Sequence, residues 1–144
     1  MPSIWKQPLS IEQLTQVSRE TAVEHLGIEF VDVGEDFLCA RVPVDARTRQ
    51  PYGFLHGGVS VVLAETLASC AAAFACPPGH RVVGLDINAN HLRTTTEGWV
   101  TGTARAVHIG GSTHVWQVEL RDDVDRLTCI SRVTMAVLKP AELK

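Results

Sequence analysis

Two periods alternate along the chain and divide it into a short helix, a hairpin, one long helix and four long strands. Ser10-Ile11-Glu12-Gln13 opens the first helix, with Ser10 at the N-cap and Gln13 three residues on, and Leu14, Val17 and Ala22 continue its apolar stripe to Gly27. From Ile28 the period falls to two: residues 28–30 and 37–44 flank Gly34-Glu35-Asp36 and predict a hairpin that stops at Pro43 or soon after. Residues 45–56 are polar and contain Pro51 and Gly53, the composition of a surface loop. Behind Gly57-Gly58, residues 59–76 form an alanine-rich run of about five turns that ends at Pro77-Pro78-Gly79. That run is apolar on nearly every side, which predicts a helix buried in the core. Residues 81–93, 98–108, 112–121 and 127–138 have strand character, and the turns at 94–98 and 122–125 predict a meander. Trp116, Val118 and Leu120 share one face of their strand, and Leu127, Cys129, Val133, Met135 and Val137 share one face of theirs. The order predicts an α+β fold, an antiparallel sheet curled around the central helix.

Composition narrows the function more than the fold. A chain of 144 residues is one domain in size, spanning 1–144. With 45% hydrophobic and 20% charged residues it has the profile of a folded protein. Its 13 basic against 16 acidic residues, a net charge of -3, provide no surplus to neutralise a phosphate backbone, so nucleic acid is excluded as the main partner. No basic stretch followed by an apolar run opens the chain, and a cytoplasmic location is the expectation. Glu65 near the middle of the long helix, with Ser60, Thr66 and Ser69 beside it and no basic flank, argues against a membrane span. Cys39, Cys70, Cys76 and Cys129 lack zinc-like or C-x-x-C spacing and are expected as reduced core residues, and no metal site is expected. His91, His108 and His114 are then ordinary strand or rim histidines.

Two features of the long helix could carry chemistry. Glu65 is a carboxylate amid apolar residues; it either makes a structural hydrogen bond at a helix edge or subunit contact, or faces a cleft where it can react. His56-Gly57-Gly58 immediately precedes the helix. Glycines admit a ligand's carbonyl close to the backbone, and the first-turn N–H groups at the positive end of the dipole favour developing negative charge, which are the parts of an oxyanion hole. The same glycines also suit a plain helix entrance. Eight residues separate Gly57 from Glu65, about 12 Å along the axis, so one carbonyl cannot easily use both ends within one chain. A working site therefore calls for two copies related by symmetry. Ser69, four residues after Glu65 and on the same face, either orients water or the carboxylate or bonds back to its own helix.

The segments Gln50-Pro51-Tyr52-Gly53-Phe54-Leu55-His56-Gly57-Gly58-Val59-Ser60-Val61-Val62-Leu63-Ala64-Glu65 and Val83-Gly84-Leu85-Asp86-Ile87-Asn88-Ala89-Asn90-His91-Leu92-Arg93 resemble the hotdog-fold acyl-CoA thioesterases. Within that group the chain is similar to the glutamate-dependent 4-hydroxybenzoyl-CoA branch, near the bacterial 1,4-dihydroxy-2-naphthoyl-CoA and enterobactin-pathway proofreading thioesterases. The resemblance implies a curved sheet around the long helix, paired subunits with the site at their interface, and a dimer of dimers. It implies Glu65 as nucleophile or general base, Gly57 N–H as the donor that polarises the thioester carbonyl, Gln50 and His56 as positioning groups, and Ser69 as an aid to the hydrolytic water. It also implies that Gly84, His91, Leu92, Arg93 and Thr94, with His108, Ile109, Gly110, Gly111, Ser112 and Thr113, lie along the coenzyme A and acyl sites. Val59, Val62 and Ala68 are expected to line an apolar acyl cavity.

The function so implied is hydrolysis of an aromatic acyl-CoA without metal or redox cofactor, with an intermediate of menaquinone biosynthesis as the specific substrate. Thioesters of an acyl carrier protein are the neighbouring possibility. A non-catalytic acyl-CoA sensor is the alternative from another class, and Glu65 inside an apolar helix argues against it. A hotdog hydratase ranks last, because the loop offers His56 without a matching carboxylate.

Overall fold

A computed structural model describes residues 2–142; Met1, Leu143 and Lys144 of the expected domain lie outside the described residues. The elements are α1 (Ile11–Val17), α2 (Ala22–His25), β1 (Glu29–Val33), β2 (Phe37–Pro43), α3 (Gly57–Ala75), β3 (Arg81–His91), β4 (Trp99–Ile109), β5 (Thr113–Arg121) and β6 (Leu127–Leu138), followed by a 3-10 turn at Pro140–Glu142. The six strands form one antiparallel sheet in the order β1-β2-β4-β5-β6-β3, and α3 packs on its concave side. This is the hotdog arrangement, and its class is α+β.

Burial on α3 explains its close packing. Ala64, Ala68, Ala71, Ala72 and Ala75, with Leu63 and Leu67, are its buried apolar residues. Small side chains bring the helix axis near the sheet. Gly102 on β4 allows the same approach from below, since a Cβ there would stand 2.8 Å from Leu67 Cδ1. α3 has the length and hydropathy of a membrane span, but its apolar residues are turned against the strands. The β5 alternation is complete: His114, Trp116, Val118 and Leu120 are buried and their neighbours are half-buried.

Three expectations need correction. The stretch predicted as one helix to Gly27 is two, because Glu20 takes φ 60 and Thr21 caps a new helix by accepting the Val23 N–H. Ser18 Oγ donates to Leu14 O at 2.7 Å and Thr21 Oγ1 to Ser18 O at 2.6 Å, local bonds of the kind that stop helices. The cap at Ser10 is also half of the predicted box: its Oγ accepts the Gln13 N–H, while the Gln13 side chain bonds that hydroxyl and not the Ser10 N–H. The predicted meander holds only for β4-β5-β6. β3 crosses to the far edge and pairs with β6, Gly84 against Met135 and His91 against Cys129.

An N-terminal strap ties down the C-terminal end of α3. Gln7 Nε2 donates to Ala73 O and to Cys76 O, both at 3.0 Å, and Lys6 N–H donates to Phe74 O. These carbonyls would otherwise lack partners at the helix end. Trp5 stacks on the fully buried Trp116 with ring centroids 6.3 Å apart and donates its indole N–H to Gly34 O.

Candidate active site

The start of α3 is built by His56, whose extended backbone (φ -63, ψ 130) places it at the N-cap. Its Nδ1 accepts the Gly58 N–H at 2.8 Å, which puts the proton of the neutral ring on Nε2. The N–H groups of Val59 and Ser60 reach His56 O. Among the described residues the Gly57 N–H is then the first-turn donor left without an acceptor, at the positive end of a 19-residue helix. His56 thus shapes the donor site from behind and is not among the residues lining the cavity in front of it.

That cavity, about 180 Å³, is bordered by Gln50, Gly57, Ser60, His91, Arg93 and Thr94, together with Phe54, Leu55, Thr95 and Thr128. Gln50 Oε1 accepts the N–H groups of Tyr52 and Phe54. Its carbonyl end is thereby fixed, and the amide NH₂ remains as a donor. His91 closes the other wall, so near that a Cβ on Gly57 would lie 3.1 Å from its Nε2. Ser60 has no site role in the sequence pattern, yet its position three residues after Gly57 puts both on one helix face.

Glu65 stands elsewhere, exposed, with no hydrogen-bond partner among the described residues. Its carboxylate lies against Gly84 of β3: a Cβ there would be 3.1 Å from Oε1. The β3–β6 register slips between Gly84 and Asp86, a bulge of the kind found beside active sites. Ser69, one turn on, does not bond back to its helix. Its hydroxyl meets only Met135 Sδ at 4.0 Å, a weak acceptor.

The third group, residues 108–113, forms the β4–β5 hairpin, where Gly110 N–H donates to Thr113 O. Register places it at the Glu65 end of the sheet, because Ile109 pairs with His114, His114 with Met135, and Met135 with Gly84. Within one chain, Gln50, Gly57, His91, Arg93 and Thr94 are therefore brought together, while Glu65, Ser69 and Gly84, with the hairpin, stand apart from them. Leu92 joins His91, Arg93, Thr94 and Arg126 around a wider neighbouring cavity of about 460 Å³; nothing in the sequence pattern singles out Arg126.

Of the strand and rim alternatives, His114 takes the strand one: it lies in β5 and is buried, accepting the Trp116 indole N–H on Nδ1 at 3.3 Å and facing Cys76 Sγ at 3.7 Å on Nε2. Burial, with the charge of His108 nearby, pushes its imidazole below the ordinary value of 6.5. Ala68 is fully buried against the sheet and lines no acyl cavity, and Val59 and Val62 pack half-buried on the core. All four cysteines are free thiols, and burial raises Cys70 to about 11.

The sequence profile of the thioesterase superfamily matches residues 52–129. The 1,4-dihydroxy-2-naphthoyl-CoA hydrolase of Escherichia coli K12 is 47% identical over 136 residues, 94% of this chain and 99% of that protein. The proofreading thioesterase EntH of Cronobacter turicensis is 44% identical over 135 residues, covering 94% and 98%. Among solved structures, the thioesterase HI1161 of Haemophilus influenzae superposes with a TM-score of 0.95 at 47% identity, covering 97% of this chain and 98% of that one. On this similarity in sequence, covering nearly the whole length, and on the helix-in-sheet architecture, the chain belongs to the hotdog thioesterase superfamily and is a thioester hydrolase.

Proposed function

We propose that the protein hydrolyses the thioester of an aromatic acyl-CoA, such as 1,4-dihydroxy-2-naphthoyl-CoA or a benzoyl-CoA, to the free acid and CoA, in the cytoplasm. The observation that carries this reading is the free Gly57 N–H beside a Gln50 amide whose oxygen is already engaged. Both donors border one cavity, where a bound thioester oxygen would gain negative charge, and such preorganised donors are among the largest contributions to acyl transfer. The E. coli relative, by its name, supports the aryl group.

Glu65 supplies the attack. As a nucleophile, its carboxylate adds to the carbonyl carbon, the thiolate leaves and takes a proton, and water then cleaves the acyl anhydride; as a general base, it takes a proton from water, which adds in its place. The products are the same. The carboxylate comes from a second copy of the chain. β3 is an edge strand of 11 residues with Val83 48% and Leu85 61% exposed, an unpaired ladder that invites a partner. Antiparallel pairing of two such edges, Gly84 opposite His91 of the partner subunit, brings each Glu65 to the other chain's helix start. It also brings hairpin 108–113 to the other chain's Arg93. Single-domain chains 1–144 would so assemble as a dimer, and the family resemblance implies that two such dimers associate.

Thiol release from benzoyl-CoA tests the reading. Glu65→Ala is expected to keep its fold and oligomeric state and to lose turnover by two or more orders of magnitude, on the order of losing the attacking group. Near-normal turnover in that variant contradicts the mechanism. A series of acyl-CoAs ranked by kcat/KM identifies the acyl group.

A further inference from the structure

Beyond the thioester-binding end, the wider cavity holds two guanidinium groups in different states. Arg93 closes β3's extension, its backbone N–H on Thr128 O, and its side chain has no hydrogen-bond or ion-pair partner among the described residues. Arg126, in the β5–β6 turn, is held from one side only: Nε donates to Asp122 Oδ2 at 2.9 Å and its backbone N–H to Asp122 Oδ1 at 2.9 Å. Asp122 is itself fixed, 5% exposed at its side chain and accepting the Val124 N–H as well. These bonds hold its carboxyl below the ordinary value of 3.8. Of the five N–H donors of a guanidinium, the Asp122 contact uses one, so four on the Nη atoms are left over a side chain 57% exposed. An arginine placed only to pair with Asp122 has no need to border a cavity with a second, unpaired arginine. His91, Arg93 and Thr94 border both this cavity and the one at Gly57, so the two form one continuous groove.

We propose that Arg126, oriented by Asp122, forms with Arg93 an anion subsite that binds a phosphate of the thiol carrier. The inference rests on the thioesterase reading, which puts the acyl carbonyl at Gly57 and leads the long thiol arm out along the groove. A forked guanidinium meets a phosphate with two parallel bonds, and preorganisation by Asp122 lowers the entropy lost on binding. The same chemistry comes from two sources: the nucleotide phosphates of coenzyme A, or the single phosphodiester of a pantetheinylated carrier protein. Asp122 acts through Arg126 and is a positioning residue.

Steady-state kinetics on benzoyl-CoA, benzoyl-pantetheine and a benzoyl carrier protein separate the cases. For Arg126→Gln, KM for the phosphate-bearing substrate is expected to rise about tenfold or more, with kcat little altered, and the rise is absent for benzoyl-pantetheine, which carries no phosphate. A rise confined to benzoyl-CoA assigns the phosphate to the nucleotide, and one confined to the carrier protein assigns it to the carrier; both support the subsite. Asp122→Asn shifts KM in the same direction by less, and Arg126→Lys recovers part of the loss. Thermal melting of each variant reports whether the turn still folds; should Arg126→Gln unfold, Arg126→Lys and Asp122→Asn make the same comparison. Equal KM changes on benzoyl-pantetheine, or none on either phosphate-bearing substrate, overturn the subsite. Wild-type protein that releases no thiol from any of the three overturns the thioesterase reading instead.

Discussion

Gly84 is where a missing side chain has a chemical consequence. Its φ is unexceptional, so alanine suits the backbone, yet the added methyl would stand 3.1 Å from the Glu65 carboxylate and move it by a few tenths of an ångström or more. Displacements of that size matter for an attacking group, whose reach and angle set the rate. Gly84→Ala is expected to keep the wild-type melting temperature and lower kcat by about tenfold or more, while KM changes little. His114 makes a different prediction at the same scale. Its folded imidazole lies below 6.5, so on acidification the unfolded chain takes up the proton first. The stability it contributes is complete above 6.5 and is lost as pH falls through the folded value. Urea midpoints are expected to decline between about pH 7 and pH 5, and His114→Gln to decline less steeply. Asp45 and Asp122, both held below 3.8, contribute to the pH dependence only under more acidic conditions.

Elements differ in how far the sequence discloses them, and the reason is the range of the interaction that decides each. α3, β5 and β6 are set by their own periodicity, and their bounds fall within a residue or two of expectation. The break between α1 and α2 was also local. Thr21-Ala22-Val23-Glu24 has the spacing of a second capping box, hidden inside the apolar stripe Leu14-Val17-Ala22. What decides the place of β3 is not local. Neighbouring strands in sequence usually pair, and nothing in the alternation of residues 81–91 distinguishes a strand beside β4 from one beside β6. The Gln7 latch on α3 is likewise a side-chain bond across 66 residues, with no short-range signal. For the proposed site, the separation of Gly57 from Glu65 was legible because a helix has a fixed rise. The cap made by His56, the orientation of Gln50 and the presence of Arg126 depended on loop geometry that no periodicity encodes.

At the scale of the whole molecule, the proposed partners Gly57 and Glu65 lie beside opposite ends of β3, near His91 and Gly84, so the shared-site proposal predicts that activity and association are lost together. Leu85, at the bulge and 61% exposed, is the most informative position for testing this. Leu85→Asp is expected to yield a folded monomer, by sedimentation and circular dichroism, with thiol release at least about a hundredfold below wild type, because a charge placed in a β-edge contact opposes pairing. A monomer that turns over fully at nanomolar concentration contradicts a shared site. The alanine face of α3 bears on how such an enzyme can change. With Ala64, Ala68, Ala71, Ala72 and Ala75 drawn tight against the strands, the interior has no room to be hollowed into an acyl chamber. In the proposed dimer, substrate range would then be rewritten on the seam between copies, where twofold symmetry makes every substitution appear twice. A new acyl preference in this scaffold would thus arrive as a paired change, free of the core yet bound to a surface that must still recognise itself.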